Sequence, residues 1–382
     1  MKRKKWKRQG DTRWYDKNPS ERVFTINTPE ELDGFAKLVN SGNSFNGKTI
    51  KLGANIELNN TTGWGNWTPE QLKLLKPWIP IGIGNNFFNG TFDGNNCLVE
   101  GIYIESKDDT QGLFGNLDSG GIIEKLRINF SYIKGCKFVG GLVGNNWGGE
   151  INNISFKGNV IGQEYVGGLA GLNNSRPVGT TGNLGGNGGT ISVSNFKGKV
   201  EGEKYIGGLA GANAGVIINS YSTGEVDGQE YVGGLVGRNG STGMIKGSYS
   251  ANTVTGTENN IGGLAGENHG GKINACSATG EITGKNNVGG LVGKNHDSKN
   301  EINNKIQNTE IKVCYSTGKV NGTGKAVGGL VGCDNSNGKG ISDSYYDKDT
   351  SGQIDTGKGE GKTTKDLEKL ISDGTLPSRK QP

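Results

Sequence analysis

The tripeptide Gly-Gly-Leu begins at Gly140, Gly167, Gly207, Gly233, Gly262, Gly289 and Gly328, at intervals of 27, 40, 26, 29, 27 and 39 residues. A degenerate copy, Gln111-Gly112-Leu113-Phe114-Gly115, precedes the first. A unit of about 27 residues, lengthened twice by 12 or 13, is therefore the organising feature, and such a period means stacked supersecondary units. Each unit reads as three extended pieces. The first is a branched residue followed by Gly-Gly-Leu, as in Val232-Gly233-Gly234-Leu235-Val236-Gly237. The second resembles Ile217-Ile218-Asn219-Ser220-Tyr221-Ser222, and the third Gly224-Glu225-Val226-Asp227-Gly228. Each piece has ordinary strand length. Each boundary carries Gly or Asn, which accept positive φ at corners.

Stacking the units aligns three apolar columns. Leu142, Leu169, Leu209, Leu235, Leu264, Leu291 and Leu330 form one. Ile151, Ile191, Ile217, Ile245 and Ile273 form a second, and Val160, Val200, Val226, Val254, Ile282 and Val320 a third. A column of small residues runs Ser194, Ser220, Ser248, Cys276, Cys314. Single strands cannot satisfy their edges, but rungs ~4.8 Å apart pair every backbone group with the rung above and below. The chain is expected to be all-β: a parallel β-helix with three strands per rung and a narrow core. Either hand of coil fits. This accounts for 71 glycines among 382 residues and for a hydrophobic content of only 31%. Disorder would not place apolar residues at fixed intervals.

The expected organisation is a basic tail over 1–20, an N-terminal cap over 21–80, repeats over 81–350 and an exit segment over 351–382. In the cap, Thr28 and Glu31 form a capping box and Pro29 takes the first helical position. Leu32, Phe35, Leu38 and Val39 give that helix, 28–40, one apolar face. A solenoid needs such a lid over its open core. The stretches 177–189 and 297–308 are expected to project as surface loops.

Six basic residues crowd Lys2, Arg3, Lys4, Lys5, Lys7 and Arg8, so the net charge of +5 belongs to a tail and the remainder is near neutral. No nucleic-acid partner follows from such a distribution. No apolar run approaches a membrane span, and none follows the basic tail as a signal peptide requires. Five cysteines, Cys97, Cys136, Cys276, Cys314 and Cys333, match no disulfide or zinc framework.

The Gly-Gly-Leu-Val-Gly and Asn219-Ser220-Tyr221-Ser222-Thr223-Gly224 strings resemble the GLUG motif family. Trp78-Ile79-Pro80-Ile81-Gly82 with Phe88 to Asn95 is similar to the usual lead-in of such arrays. Ser344-Tyr345-Tyr346-Asp347 with Thr350 to Gln353 is similar to their usual exit. The resemblance covers about residues 20 to 370. It implies a bacterial surface repeat protein, akin to filamentous-haemagglutinin-type adhesins and to the arrays of IgA-cleaving peptidases. The implied role is a stalk or scaffold, extracellular or at the cell surface, within a larger protein. Host surface proteins or glycans are the implied partners.

Catalytic signatures are missing. A zinc peptidase needs His-Glu-x-x-His, and His269 and His296, the two histidines, are followed by Gly270-Gly271 and Asp297-Ser298. No Gly-x-Ser-x-Gly elbow occurs. No catalytic residue or cofactor is therefore assigned, and the expected function is a non-enzymatic scaffold or adhesin segment. The alternative is a polysaccharide-binding or polysaccharide-cleaving β-helix, which would use carboxylates on adjacent rungs. Glu201, Glu225 and Glu281 line up, interrupted by Lys199 and Lys319. Trp64, Trp67 and Trp78 are candidates for stacking on sugar rings. Asp347, Asp349, Ser351 and Asp355 match part of an EF-hand calcium loop, with Lys358 where the bidentate Glu belongs.

Overall fold

The computed structural model describes residues 10–378 except 66, 175–176, 179–182, 185–187, 300–303, 337–339 and 355–357. The repeats coil into a parallel β-helix. Sheets of 23, eight and seven strands run along its length. One rung shows the plan. Lys204–Gly207 lies in the seven-stranded sheet and Ala210–Asn213 in the eight-stranded sheet. Val216–Ile218 and Tyr221–Gly228 both lie in the 23-stranded sheet. The next rung repeats this in register, with Ile217 opposite Ile245 and Val226 opposite Val254.

The corners differ from the sequence reading. The Gly-Gly-Leu piece is not one strand but the fold between two sheets. The second and third pieces share a sheet, bent at Asn219 (φ 48°). Backbones crowd at the Gly-Gly corner. A Cβ on Gly207 would lie 2.1 Å from the Ala210 carbonyl oxygen, and one on Gly208 2.1 Å from that of Gly234 in the next rung. Only glycine fits such an approach.

Positive φ also falls on bulky residues. Phe138, Tyr165, Tyr205 and Tyr231 form a column with φ between 55° and 58°, a costly conformation for such residues. Their rings stack rung upon rung, with centroids 5.2, 4.8 and 4.7 Å apart. Aromatic stacking offsets part of the strain.

The three apolar columns are buried as expected, and all seven leucines are fully enclosed. In the small-residue column, Ser220, Ser248 and Cys314 accept from the backbone of the rung before them. Ser194 N donates to Ser220 Oγ at 3.1 Å, Ser220 N to Ser248 Oγ at 3.1 Å, and Cys276 N to Cys314 Sγ at 3.4 Å. The two stacked thiols are buried and free, and burial pushes the Cys314 thiol well up.

A second interior ladder runs along the eight-stranded sheet. The Asn expected at a turn instead points inward from the eight-stranded sheet. Asn146, Asn173, Asn213, Asn239, Asn268 and Asn295 each donate to the side chain of the next rung, ending on Asp334, at 2.8–2.9 Å. Buried amides must be paired, and a one-repeat period pairs them with their own kind.

Both ends are covered. Helix Pro29–Asn40 carries the expected capping box. Its Phe35 ring packs on Phe45, Phe88, Phe92 and Phe114 at 5.2–6.4 Å. Asn40 fastens it, donating to Pro80 O at 3.0 Å and accepting from Gly82 N at 2.7 Å. Strands Val23–Ile26 and Thr49–Leu52 already pair in parallel with the long sheet, so the coil begins within this segment. At the other end, Glu360–Lys362 pairs with Tyr345–Asp347. Helix Thr364–Ser372 follows, with Leu367 and Leu376 buried against Tyr315. The two insertions carry short antiparallel pairs, Pro177–Val178 with Asn183–Leu184 and Ser298–Lys299 with Ile306–Gln307. Among the described residues, no helix is long and apolar enough to cross a membrane.

Candidate functional site

Strands Ala265–His269 and Val292–His296 are neighbours in the eight-stranded sheet, with His269 opposite His296. Side chains alternate across a strand. Asn268 and Asn295 turn inward to the amide ladder, so Glu267, His269 and His296 share the outer face. Glu267 is nevertheless only 5% exposed. His296 Nε2 lies 3.0 Å from Glu267 Oε1, and the two imidazoles stack with centroids 4.4 Å apart and planes 17° from parallel. Arg238, one rung back and opposite Glu267, completes the cluster. Its Nε is 3.1 Å from Glu267 Oε2 but has no hydrogen-bond partner, so the contact is an ion pair only. Its Nη2 donates to His269 Nδ1, which leaves the proton of a neutral His269 on Nε2.

The electrostatics follow from burial and these neighbours. Burial alone would raise the Glu267 carboxyl, but the hydrogen bond from His296 and the charge of Arg238 outweigh it and hold the group below the usual carboxylate range. Burial first, then the Arg238 charge, lowers His269 to about 4. Tyr231, beside the cluster, is pushed up to about 12 by burial and by Glu267. One ligand atom from each of Glu267, His269 and His296 falls within 4.8 Å of the others. Among the described residues this is the grouping of side chains suited to hold a metal ion.

A second feature lies on the same sheet nearer the N-terminus. A groove of about 390 Å³ is lined by Phe87, Trp147, Asp109, Thr110, Asn116 and Asn145, with Ile83 and Gly84 at its edge. Asn145 donates to Thr110 Oγ1 and Asn116 Oδ1, both at 3.3 Å. Its buried Oδ1 has no protein partner.

The residues singled out from sequence are dispersed. Trp78 is 4% exposed and donates its indole N–H to Leu113 O at 3.1 Å. It is a core residue with no ring face for a sugar, which corrects the stacking expectation there. Trp64 is half-buried and tilts against Phe130 at 5.6 Å. Trp67 is half-buried. Asp347 is buried and caps the turn Lys348–Ser351, accepting from Asp349 N and Thr350 N, and also from Thr364 Oγ1 at 2.8 Å. Asp349 accepts from Thr364 N at 2.9 Å, and Ser351 Oγ from Gln353 N at 3.2 Å. These oxygens serve as caps, and Asp355 lies outside the described residues. Along the acid column, Lys199 pairs with Glu201 at 3.3 Å and Asp227 at 3.1 Å, and Lys319 approaches Glu281 at 4.0 Å. These are exposed ion pairs, which contribute little.

No contiguous motif carries the histidine cluster, because His296 stands one repeat away from Glu267 and His269. The available signal was the period: His269 and His296 are 27 residues apart, one repeat, and Glu267 is two residues before His269, on the same strand face.

Architecture and period define a tandem-repeat parallel β-solenoid. Residues 202–227, 228–255 and 257–283 match the GLUG motif, so that stretch consists of three GLUG-type repeats. It is 30% identical over 176 residues to halomucin of Haloquadratum walsbyi, which matches 43% of this chain and 2% of halomucin. It is 38% identical over 82 residues to a protein of Evansella cellulosilytica named provisionally as a Gly-rich membrane protein, matching 20% of this chain and 9% of that one. The chain thus spans only a small fraction of the curated relatives it matches. A crystal structure of a Bacteroides ovatus protein, provisionally assigned as an immunoglobulin A1 protease, superposes with a TM-score of 0.50 at 19% identity, covering 92% of this chain and 87% of that one. That likeness concerns the fold alone.

Proposed function

We propose that the chain is a non-catalytic scaffold segment, extracellular or at the cell surface, that holds its lateral faces out for binding. The observation that carries this reading is the unbroken ladder from Val23 to Lys362, covered by a helix at each end. Stacked-repeat proteins present long lateral surfaces in this way. Similarity to halomucin and to a Gly-rich membrane protein supports the surface location. Labelling of intact producing cells by a membrane-impermeant biotin reagent checks that location, and labelling only after lysis would refute it.

The groove at Trp147 favours glycan as what is bound. It offers aromatic rings, a carboxylate and carboxamides, with one amide oxygen unpaired, a combination suited to a sugar's apolar face and hydroxyls. Incubation with a polysaccharide panel, read both for binding and for new reducing ends, tests the two parts together. Binding without turnover, weakened about tenfold or more by Trp147→Ala, is the expected result. Turnover abolished by a single Asp or Glu substitution would overturn the scaffold reading. Binding indifferent to Trp147→Ala would remove the groove from it.

A further inference from the structure

On the eight-stranded sheet, the outward position held by Glu267 is Asn116, Asn145, Leu172, Ala212, Arg238, Lys294 and Cys333 in the other rungs. A carboxylate appears there once, and beside it stand both of the chain's histidines. We propose that Glu267, His269 and His296 form a binding site for a divalent transition metal of the zinc type, with one carboxylate oxygen and two imidazole nitrogens as ligands.

The donor set selects the class of ion. Calcium and magnesium take oxygen ligands, whereas imidazole suits zinc, copper and nickel. Zinc accepts a His₂Glu set with a fourth position left for water. The geometry is partly in place. Metal–ligand bonds of about 2.0–2.2 Å put two ligands of a tetrahedral ion roughly 3.3 Å apart, and His296 Nε2 already stands 3.0 Å from Glu267 Oε1. The His269 nitrogen lies within 4.8 Å of both. The imidazoles must splay from their stack, because nearly parallel rings aim their lone pairs alongside each other rather than at one point. Rotation about the Cβ–Cγ bond of His269 supplies this.

Arg238 is the competing cation. Its guanidinium faces both Glu267 and His269 Nδ1, where it neutralises the carboxylate and occupies an imidazole lone pair. A doubly charged ion bound by the same atoms must displace it. The Arg238 side chain is about one-third exposed, so it has solvent to swing into. Arg238 thereby lowers affinity without being a ligand, which separates a metal site from a simple ion-pair network. In such a network, removing Arg238 only strands Glu267.

The test is calorimetric titration of the full chain with zinc sulfate, with thermal melts in zinc and in chelator. The expected result is saturable uptake of one equivalent and a melting temperature raised by zinc, since a ligand that binds only the native state stabilises it. Glu267→Gln and His296→Asn should each weaken uptake about tenfold or more and abolish the zinc-dependent shift. Arg238→Gln should tighten uptake. Melts in chelator show that each variant is folded; if His296→Asn is not, His269→Asn takes its place. No saturable uptake by the native chain overturns the site, even if Arg238→Gln binds, because the guanidinium would then be its resident cation. Uptake unchanged in Glu267→Gln and His296→Asn also overturns it, by placing the ion elsewhere, for instance on the half-buried thiols of Cys97, Cys136 or Cys333.

Discussion

Leu235→Asp is expected to unfold the rungs around it. Leu235 is fully buried, and its backbone is tied to both neighbours: its N–H donates to Leu264 O at 2.8 Å and its carbonyl accepts from Leu209 N at 2.8 Å. Truncating such a leucine to alanine costs about 2–5 kcal/mol. A carboxylate costs more, because the leucine column offers it no partner and an unpaired buried charge is far more expensive than a cavity. Total stabilities are about 5–15 kcal/mol. Because repeats contact only their neighbours, the loss should first appear locally. New protease-sensitive sites should arise in the rungs flanking residue 235, together with a lower melting temperature. Unchanged melting and proteolysis would mean that Leu235 does not face inward.

Deletion of residues 1–45 should turn the protein into a self-associating species. It removes the helix Pro29–Asn40 and the strand Val23–Ile26. Thr49–Leu52 then becomes an open edge, and the Phe88, Phe92 and Phe114 rings lose Phe35. An uncovered strand edge beside apolar surface templates pairing with another chain. Sedimentation should show oligomers or aggregate. Deletion of residues 1–9 alone retains the hydrogen bond from Asp11 N to Glu30 O and should sediment as the intact chain does. A 1–45 deletion that matches the intact chain in sedimentation and stability would mean that this segment covers nothing.

What the sequence made legible depended on period and composition together. The Leu, Ile and Val columns and the Ser–Cys column were readable because each repeats one residue type at a fixed interval, and stacking leaves no other partner. The N-terminal helix was readable from Thr28, Pro29 and Glu31. The corners were not, because a chain can leave one sheet for another at Gly207-Gly208 without any change in composition. The asparagine ladder was hidden by the same ambiguity: Asn213 before a glycine turn reads as a turn residue, yet it pairs with Asn239 at 2.9 Å inside the coil. Left-handed Phe138 and Tyr165 run against local preference, and only stacking between rungs accommodates them. The C-terminal helix had its signal in Thr363, Asp366, Leu367, Leu370 and Ile371, a cap and an apolar stripe that the exit-segment reading passed over. The Glu267 cluster is a consequence of register. Motif reading tests contiguous residues, whereas a solenoid builds sites from residues one repeat apart.

Register is therefore the claim on which the fold, the ladders and both sites rest, and disulfide trapping tests it most directly. Thr223 is paired with Lys197 on one side and Ala251 on the other, all three at outward positions of the long sheet. Adjacent rungs stand ~4.8 Å apart, within the 4.4–6.8 Å that a disulfide spans, whereas two rungs stand about 10 Å apart and exceed it. With Thr223→Cys and Ala251→Cys installed together, mild oxidation and peptide mapping should find that bond in high yield. The pair Lys197→Cys with Ala251→Cys should yield little. Equal yields from the two pairs, or none from the first, would contradict the stacked register.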